Sequence, residues 1–184
     1  MTTNGICTDQ AHIRRASLAD IDALVGIENA SFAGDRLDRR RFRYLLGAAH
    51  GVTLVDTSGA GACGCIRGYI LLLFRANSPI ARIYSIATHP AYLGRGVAAR
   101  LVRAAERLAL QHGYTQLRLE VREDNAASLA LFTQRGYRPF GRHAGYYHDG
   151  MDALRLARPL GRAEVQSAFL DDHADATQSA TAPG

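Results

Sequence analysis

The segment IARIYSIAT (residues 80–88) and the loop LGRGVA (residues 93–98), separated by His89 and Pro90, determine the architecture of this chain. The first segment is rich in β-branched residues and predicts a strand. The glycines of the second predict a loop, and the apolar residues from Val97 to Leu108 then recur at helical spacing, so a helix should reach His112. The loop therefore brings backbone N–H groups to the N-terminus of a helix. Such an arrangement binds phosphate, because these N–H groups lack partners within the helix.

The chain continues from this helix into a second strand, from Thr115 to Val121, and a further helix, from Asn125 to Arg135. The glycine loop is not a Walker A loop, since no Gly-Lys-Ser/Thr follows it. It is not a dinucleotide fingerprint either, because the chain does not begin with the βαβ unit that this motif opens. What remains is a diphosphate cradle in which the glycines allow the backbone to approach an anion closely.

Length and composition predict one globular domain with a polar tail. The chain has 184 residues, of which 47% are hydrophobic and 21% charged, ordinary values for a folded domain. No apolar run approaches the roughly 20 residues that span a bilayer, so no membrane partner is predicted. The first residues lack the pattern of a secretory signal, and a cytoplasmic setting is expected.

All 22 basic residues are arginine, and the formal net charge is +5. The chain therefore has no lysine of its own to acetylate. A positive field suits an anionic ligand such as a nucleotide. No nucleic-acid-binding motif accompanies the arginines, so no nucleic-acid partner is predicted.

Two of the three cysteines, Cys63 and Cys65, stand in C-x-C spacing inside a strand-like run. A zinc site needs two more ligands, and the sequence has no second cysteine pair. We interpret these cysteines as buried and reduced, and we predict no metal.

Before the central segment the sequence predicts a strand from His12 to Ala16, two helices and two strands. Ser17 and Asp20 have the spacing of a capping box at the start of the first helix. Glu28 falls on the apolar stripe of that helix, where it either reaches solvent at the helix edge or lines a binding cleft. The second helix is predicted over Leu37 to Leu46, and the longer of the two strands runs to Phe74.

After the central segment the sequence predicts two strands, Tyr137 to His143 and Ala153 to Leu160. A glycine-flanked loop with Tyr146 and Tyr147 joins them. Three regions follow from these patterns: a flexible N-terminus over residues 1–11, a folded domain over residues 12–160, and a polar, largely disordered tail over residues 161–184.

Several ordered motifs give the chain its family resemblance. They are PAYLGRGVA (residues 90–98), LEVR (119–122), NAASLALF (125–132), GY (136–137) and YYHDGMDA (146–153). This order resembles the GNAT acyl-CoA N-acyltransferases, and the last motif is similar to the RimI-like N-terminal-amine acetyltransferases. The resemblance covers roughly residues 12 to 160. It implies the GNAT fold, an α/β (α+β) architecture in which a mixed, mostly antiparallel central sheet carries helices on both faces and is splayed at the acyl-CoA site.

The resemblance also implies which residues hold acetyl-CoA. In the family, a splayed strand offers its backbone to the pantetheine arm, and a glycine loop holds the pyrophosphate. The residues at the matching positions here are Ile86, Ala87 and Thr88 in the strand, Leu93, Gly94, Arg95, Gly96, Val97 and Ala98 in the loop, and Asn125 at the start of the next helix. Leu93 replaces the family's Gln or Arg, so only the backbone of that position remains available.

Glu120 matches the general base of RimI-like enzymes, and its alternative role is an ion pair with Arg118 or Arg122. Phe132 stands where those enzymes carry the tyrosine that protonates the departing thiolate. We therefore predict that Tyr147, or a water, donates the proton instead. The resemblance places the Tyr146 loop over the acceptor, and Glu28 and Tyr146 are predicted to form the acceptor cleft.

The function implied is transfer of an acetyl group from acetyl-CoA to an amine, first of all the N-terminal α-amine of a peptide or protein. A small-amine or lysine side-chain acetyltransferase is an alternative, and an inactive acyl-CoA-binding module is another because of Phe132. A basic nucleic-acid-binding protein ranks below these. The sequence leaves open the acceptor, the use of longer acyl groups, the role of the tail and the oligomeric state.

Overall fold

The structure, a computed structural model, describes residues 11–32, 34–59 and 65–161. The described elements, in chain order, are β1 (Ala11–Arg15), α1 (Ile21–Ser31), α2 (Arg39–Gly47), β2 (Gly51–Ser58), β3 (Ile66–Phe74), β4 (Ile80–Thr88), α3 (Val97–Gln111), β5 (Gln116–Arg122), α4 (Ala126–Gln134), β6 (Arg138–His143) and β7 (Ala153–Pro159). Short 3-10 turns at Leu18–Asp20 and Pro90–Tyr92 precede α1 and the glycine loop.

The strands form one sheet in the order β1-β2-β3-β4-β5-β7-β6. Every neighbouring pair is antiparallel except β4 and β5, which run parallel because α3 crosses between them. The predicted mixed, mostly antiparallel sheet is therefore confirmed.

The sheet splits between β4 and β5. Their register holds for three residue pairs, the last of which joins Arg82 to Arg118. Immediately beyond that pair the β3–β4 register shifts, so that Ile83 faces Leu72 and Ser85 faces Leu71, which leaves Tyr84 as an extra residue. Such a bulge bends a strand and increases its twist. The bend carries the end of β4 away from β5.

Helices cover both faces of the sheet, as predicted, and the alternation along β3 shows how. Ile70 and Leu72 pack in the core cluster that contains α3. Tyr69 and Leu71 point to the other face and pack in the cluster that contains α1 and α2. Because successive side chains of a strand point to opposite faces, the continuous apolar run of β3 is what a strand buried on both sides requires.

Side-chain caps fix where three of these segments begin. Asp20 accepts hydrogen bonds from the backbone N–H and the hydroxyl of Ser17, at 2.7 and 3.1 Å, so the capping-box prediction is confirmed. Asp38 accepts from the backbone N–H of Arg41, and α2 therefore starts after Asp38 rather than at Leu37. Asn125 accepts from the N–H of Ser128 at the start of α4.

One expectation about the cysteines is wrong. Cys65 is exposed, because it precedes β3 rather than lying inside it. Cys63 lies outside the described residues, as do most of the predicted N-terminal segment and tail. Among the described residues, no helix is long and apolar enough to cross a membrane.

Candidate active site

A cleft of about 1020 Å³ opens where β4 and β5 separate. One wall is the bent part of β4, from Ile83 to Ile86, and the other is β5 from Leu119 to Arg122. The N-terminus of α4, the C-terminus of α1 and the β6–β7 loop around Tyr147 complete the lining. The split in the sheet therefore creates the concave site in which five predicted residues meet: Glu28, Ile86, Glu120, Asn125 and Tyr147.

The end of β4 offers backbone groups to this gap. The N–H of His89 donates to the carbonyl of Arg67 on β3 at 2.8 Å. Because hydrogen-bonded and non-hydrogen-bonded pairs alternate along an antiparallel ladder, the backbone groups of Ile86 and Thr88 point away from β3, toward the gap. The backbone groups of Ala87 point toward β3, and its side chain packs in the cluster that contains α1 and α2.

The glycine loop has the backbone geometry of an anion cradle. Gly94 and Gly96 adopt positive φ angles of 74° and 70°, which favour glycine. Gly96 is also the N-cap of α3, so the free N–H groups of the first turn of the helix meet those of the loop. The side chain of Leu93 is 66% exposed, so this position contributes its backbone.

A buried charge network holds this loop in place. Arg100 donates from Nη1 to the carbonyl of Arg95 at 2.9 Å and from Nε to Asp56 at 2.8 Å. Asp56 is fully buried on β2 and also accepts from Nε of Arg67 at 2.6 Å. The carbonyl of the loop is thereby tied to the interior of the sheet. We refer to these three side chains as the Asp56 network, which no local pattern in the sequence predicts.

Gly68 lies under the start of α3. A Cβ built at this position would lie 2.7 Å from the carbonyl oxygen of Ala87 and 2.8 Å from Cγ1 of Val97. Only glycine therefore allows α3 to seat its first turn against β3 and β4. A glycine inside an apolar strand signals such a close approach.

Glu120 lies on β5 at the cleft wall with 11% of its side chain exposed. Its carboxylate is 2.7 Å from Nη2 of Arg82 on β4 and 3.9 Å from Nε of Arg155 on β7. The alternative ion pair with Arg118 or Arg122 is wrong, because the cross-strand neighbours lie closer. Glu120 therefore faces the cleft with its carboxylate held between two strands.

Glu28 is buried rather than at a solvent-exposed helix edge, with 1% of its surface accessible, and it lines the cleft. Its carboxylate accepts hydrogen bonds from the hydroxyl of Tyr69 and from the backbone N–H of Leu37, the latter at 3.3 Å. Burial raises the pKa of the Glu28 carboxyl, and these hydrogen bonds oppose the rise. Burial, together with the charge of Glu28 and the hydrogen bond to it, holds the pKa of Tyr69 well above its usual range.

The two tyrosines of the β6–β7 loop lie differently. Tyr147 lines the cleft, and burial raises the pKa of its hydroxyl to about 12. Tyr146 is 45% exposed, does not line the cleft and accepts a hydrogen bond from Arg82 at 2.9 Å. Their rings meet edge to face at 5.1 Å. Phe132 is buried and lines the opposite wall, where it packs on Tyr137.

The lining of the cleft is acidic although the protein is basic. The lining residues carry five carboxyl groups, those of Glu28, Asp35, Glu120, Asp124 and Asp149, and one guanidinium, that of Arg122. Arg82 and Arg155 pair with Glu120 from outside the lining. A low-dielectric cleft of one sign attracts ligands of the other. This cleft therefore suits a cationic amine, whereas the glycine loop suits an anion.

The chain matches the profile of the Acetyltransferase (GNAT) family over residues 21–137. This chain belongs to the GNAT acetyltransferases. The matched region includes the glycine loop, α3, Glu120 and Asn125. The enzyme therefore transfers an acetyl group to an amine.

Two relatives of this GNAT enzyme illustrate how far the similarity extends. The N-alpha-acetyltransferase RimI of Mycobacterium tuberculosis is 30% identical over 164 residues, which cover 84% of this chain and 96% of the relative. A mycothiol acetyltransferase of Jonesia denitrificans is 35% identical over 97 residues, 53% of this chain and 29% of that protein. The chain is thus RimI-like along most of its length, whereas it matches less than a third of the second relative.

Solved structures agree on the fold of the GNAT enzyme. The ribosomal-protein-S18-alanine N-acetyltransferase from Escherichia coli superposes with a TM-score of 0.73 at 22% identity, covering 83% of this chain and 95% of that one. Ard1 from Thermoplasma volcanium gives 0.74 at 23% identity, covering 83% and 99%.

The structure of the GNAT enzyme brings together some predicted site residues and separates others. Ile86, Asn125, Glu28, Glu120 and Tyr147 line one cleft. The loop from Leu93 to Ala98 lies outside that lining, at the N-terminus of α3, and Tyr146 lies at the rim. Among residues 11–32, 34–59 and 65–161, no group of three His, Cys, Asp or Glu side chains could hold a metal ion.

Proposed function

We propose that this enzyme acetylates the N-terminal α-amine of a peptide or protein with acetyl-CoA as the donor. The observation that supports this most directly is the acidic cleft at the split between β4 and β5, with Glu120 on its wall. The similarity to N-alpha-acetyltransferase RimI over 84% of the chain points to the same class of acceptor.

The residues present fit acetyl-CoA. The N–H groups from Gly94 to Ala98 would hold the pyrophosphate, since both glycines have positive φ and no Cβ fills the cradle. The backbone groups of Ile86 and Thr88 would bind the pantetheine arm in the gap that β5 leaves. Asn125, whose side-chain oxygen already caps α4, would contribute its amide N–H groups.

The attacking amine has to be neutral, because an ammonium group has no lone pair. At pH 7 about one α-amine in ten is neutral, against about one lysine in a few thousand. The acidic lining attracts the ammonium form, and Glu120 then removes its proton directly or through a water. Glu28 contributes the buried end of the acceptor site, and Tyr146 contributes to its rim through Arg82.

Backbone N–H groups of β4 would stabilise the oxyanion that forms at the thioester carbonyl. Tyr147 is the hydroxyl available for the departing sulfur. With a pKa of about 12 it remains protonated, and it is a weaker acid than a thiol of ordinary pKa near 8.5. We therefore assign Tyr147 a hydrogen bond to the sulfur and leave the proton itself to water.

The exposed Cys65 thiol agrees with a reducing, cytoplasmic setting, which we propose as well.

Incubation with labelled acetyl-CoA and a set of peptides tests the proposal. Each peptide is offered with a free α-amine, with a blocked α-amine and an internal lysine, or with both blocked, next to small diamines. We expect label only where the α-amine is free. Label on lysine or on small amines would favour those alternatives, and CoA binding without transfer would favour an inactive module.

Tyr147→Phe should lower kcat without changing the affinity for CoA.

A further inference from the structure

Among the described residues, α1 and α2 leave half of the sheet uncovered on the side where they pack. Leu117, Leu119 and Val121 of β5 point into the core with α3, so Arg118 and Glu120 point to the other side. On that side α1 and α2 cover β2, β3 and β4. All residues of the edge strand β6 are exposed, and Phe140 is 42% exposed.

Three arginines converge on this open half around Phe140 and Glu120, and we call them the arginine face: Arg82, Arg118 and Arg155. The guanidinium groups of Arg118 and Arg155 lie 4.8 and 4.5 Å from the ring centre of Phe140. Arg82 and Arg155 share the carboxylate of Glu120. The three cations therefore form one surface across β4, β5 and β7.

The arginine face has more positive charge than its neighbours neutralise. Three guanidinium groups meet one carboxylate, and within the described part of the chain the side-chain contacts of Arg118 are both uncharged, the amide of Gln116 and the ring of Phe140. The Nε–H groups of Arg82 and Arg155 are buried and have no hydrogen-bond acceptor among the described residues. A ligand meets the exposed parts of these two side chains, 40% of Arg82 and 33% of Arg155. A carboxylate is the group that satisfies guanidinium donors best.

The face is continuous with the acceptor cleft, because Glu120 belongs to both. If the amine of an acceptor reaches Glu120, this surface lies within reach of the residues that follow the amine. The aromatic rim formed by Phe140 and Tyr146 lies beside the three arginines. A polypeptide that carries its own amine fits this path. A polynucleotide would instead bring its phosphates next to the Glu120 carboxylate.

We propose that the arginine face binds an acidic side chain of the acceptor, a few residues after the reacting amine. This rests on the proposed α-amine acceptor and adds the preference for acidic sequences. A carboxylate bound at Arg155 also draws that guanidinium away from Glu120. The acidic acceptor thereby helps to free the carboxylate that takes its proton.

The test compares peptides that share their first two residues and carry either Glu or Gln at the third, fourth or fifth position. One charge-assisted interaction predicts that kcat/KM is about tenfold higher for the best Glu peptide. Arg118→Gln should bring this ratio close to one, and Arg118→Lys should keep most of it. Arg15→Gln removes one arginine at the opposite edge of the sheet and should leave the ratio unchanged. Unchanged affinity for CoA shows that each variant is folded.

Equal kcat/KM for Glu and Gln peptides, or an undiminished ratio in Arg118→Gln, overturns the inference. If no α-amine is acetylated at all, the proposed function itself fails instead. Binding of a different ligand to the arginine face would also overturn the inference. It would appear as binding of a single-stranded RNA, self-association, or inhibition by a peptide of residues 162–184, in each case lost in Arg118→Gln.

Discussion

Glu120 and Glu28 are carboxylates of one cleft in different environments. Glu120 is held between Arg82 and Arg155 at the wall, whereas Glu28 is buried and receives hydrogen bonds from neutral donors. Two such environments separate the tasks of the two groups. We propose that Glu120 takes a proton from the acceptor and that Glu28 shapes the end of the site that receives it.

Glu120→Gln should lower kcat by about 10²- to 10⁴-fold, the usual contribution of a positioned general base. The affinity for CoA should remain nearly unchanged, since the glycine loop lies elsewhere. Steady-state kinetics and calorimetry measure the two effects. Glu123→Gln, which removes a carboxylate paired with Arg142 outside the cleft lining, is the control. A weakened CoA affinity with normal turnover would assign Glu120 a structural role.

Glu28 should make stability depend on pH. Its pKa is raised above the ordinary 4.5, so the folded protein keeps this proton at pH values where the unfolded chain has lost it. The stability of the wild type therefore falls as pH rises from 4.5 through the raised pKa. Glu28→Gln cannot ionise and avoids this loss, so its free energy of unfolding should improve relative to the wild type over that range. Chemical denaturation at several pH values measures this difference.

Asp20 serves as a control, because its pKa is shifted in the opposite direction to that of Glu28. The ion pair with Arg14 lowers the pKa of Asp20 to about 2, so its stabilising effect is present above the ordinary pKa of 3.8 and is lost as pH falls toward 2. Asp20→Asn should therefore lose stability relative to the wild type as pH rises through this window. If the difference in free energy of unfolding between variant and wild type changed in the same direction with pH for both variants, the assignment for Glu28 would be contradicted.

At the scale of elements, the position of α3 determines whether the glycine loop can bind. Two contacts fix the position of α3: its close approach to Gly68 of β3, and the Asp56 network, which connects Arg100 of α3 to the sheet. Neither touches the cleft. Each therefore offers a way to alter cofactor binding without altering the residues that face the acceptor.

Gly68→Ala should destabilise the protein by about 1–3 kcal/mol, the usual effect of forcing a methyl group into a packed core. The added Cβ meets backbone at 2.7 Å and Val97 at 2.8 Å, so α3 has to shift and CoA affinity should fall as well. Gly26→Ala on α1 has no atom within 4 Å of its Cβ and should stabilise by about 0.5–1 kcal/mol. Thermal unfolding measures the stability of the two variants, and calorimetry measures their affinity for CoA. Equal stability and equal affinity in both variants would contradict the close approach at Gly68.

Arg100→Gln should raise the KM for acetyl-CoA about tenfold, the effect of losing one or two charge-assisted hydrogen bonds that hold the loop. A short acetyl thioester that lacks the pyrophosphate does not use the loop. Its kinetics should be the same in variant and wild type. An equal loss with both donors would mean that Arg100 supports the whole fold rather than the loop.

Local patterns in the sequence predicted the elements that depend on local forces. The helical period of α3, the glycines of the loop and the capping box of Ser17 and Asp20 act within a few residues. The bulge at Tyr84 and the Asp56 network depend on contacts between strands far apart in sequence. The pairing of Glu120 shows the limit most clearly. The sequence suggested Arg118 and Arg122, but the sheet register places Arg82 and Arg155 closer.

At the scale of the whole molecule, the split divides the sheet into the halves β1–β4 and β5–β7. Three backbone residue pairs, the packing of α3 and the contacts of Arg82 with Glu120 and Tyr146 join them. A ligand that bridges the gap binds the folded state alone. CoA at 100 times its Kd should therefore raise the free energy of unfolding by about 2.7 kcal/mol. A rise in melting temperature that is absent in Gly68→Ala at the same CoA concentration would show that the bridge depends on α3.

The bend at Tyr84 also predicts how deuterium enters the backbone of β4. The N–H of Ala87 belongs to a hydrogen-bonded pair with Tyr69 on β3, whereas the N–H groups of Ile86 and Thr88 face the gap. In the free protein, exchange at Ile86 and Thr88 should be fast and exchange at Ala87 slow. Bound CoA should slow the first two and leave the third unchanged. Alternate amides along a single strand would then report whether the cofactor occupies the place that β5 leaves.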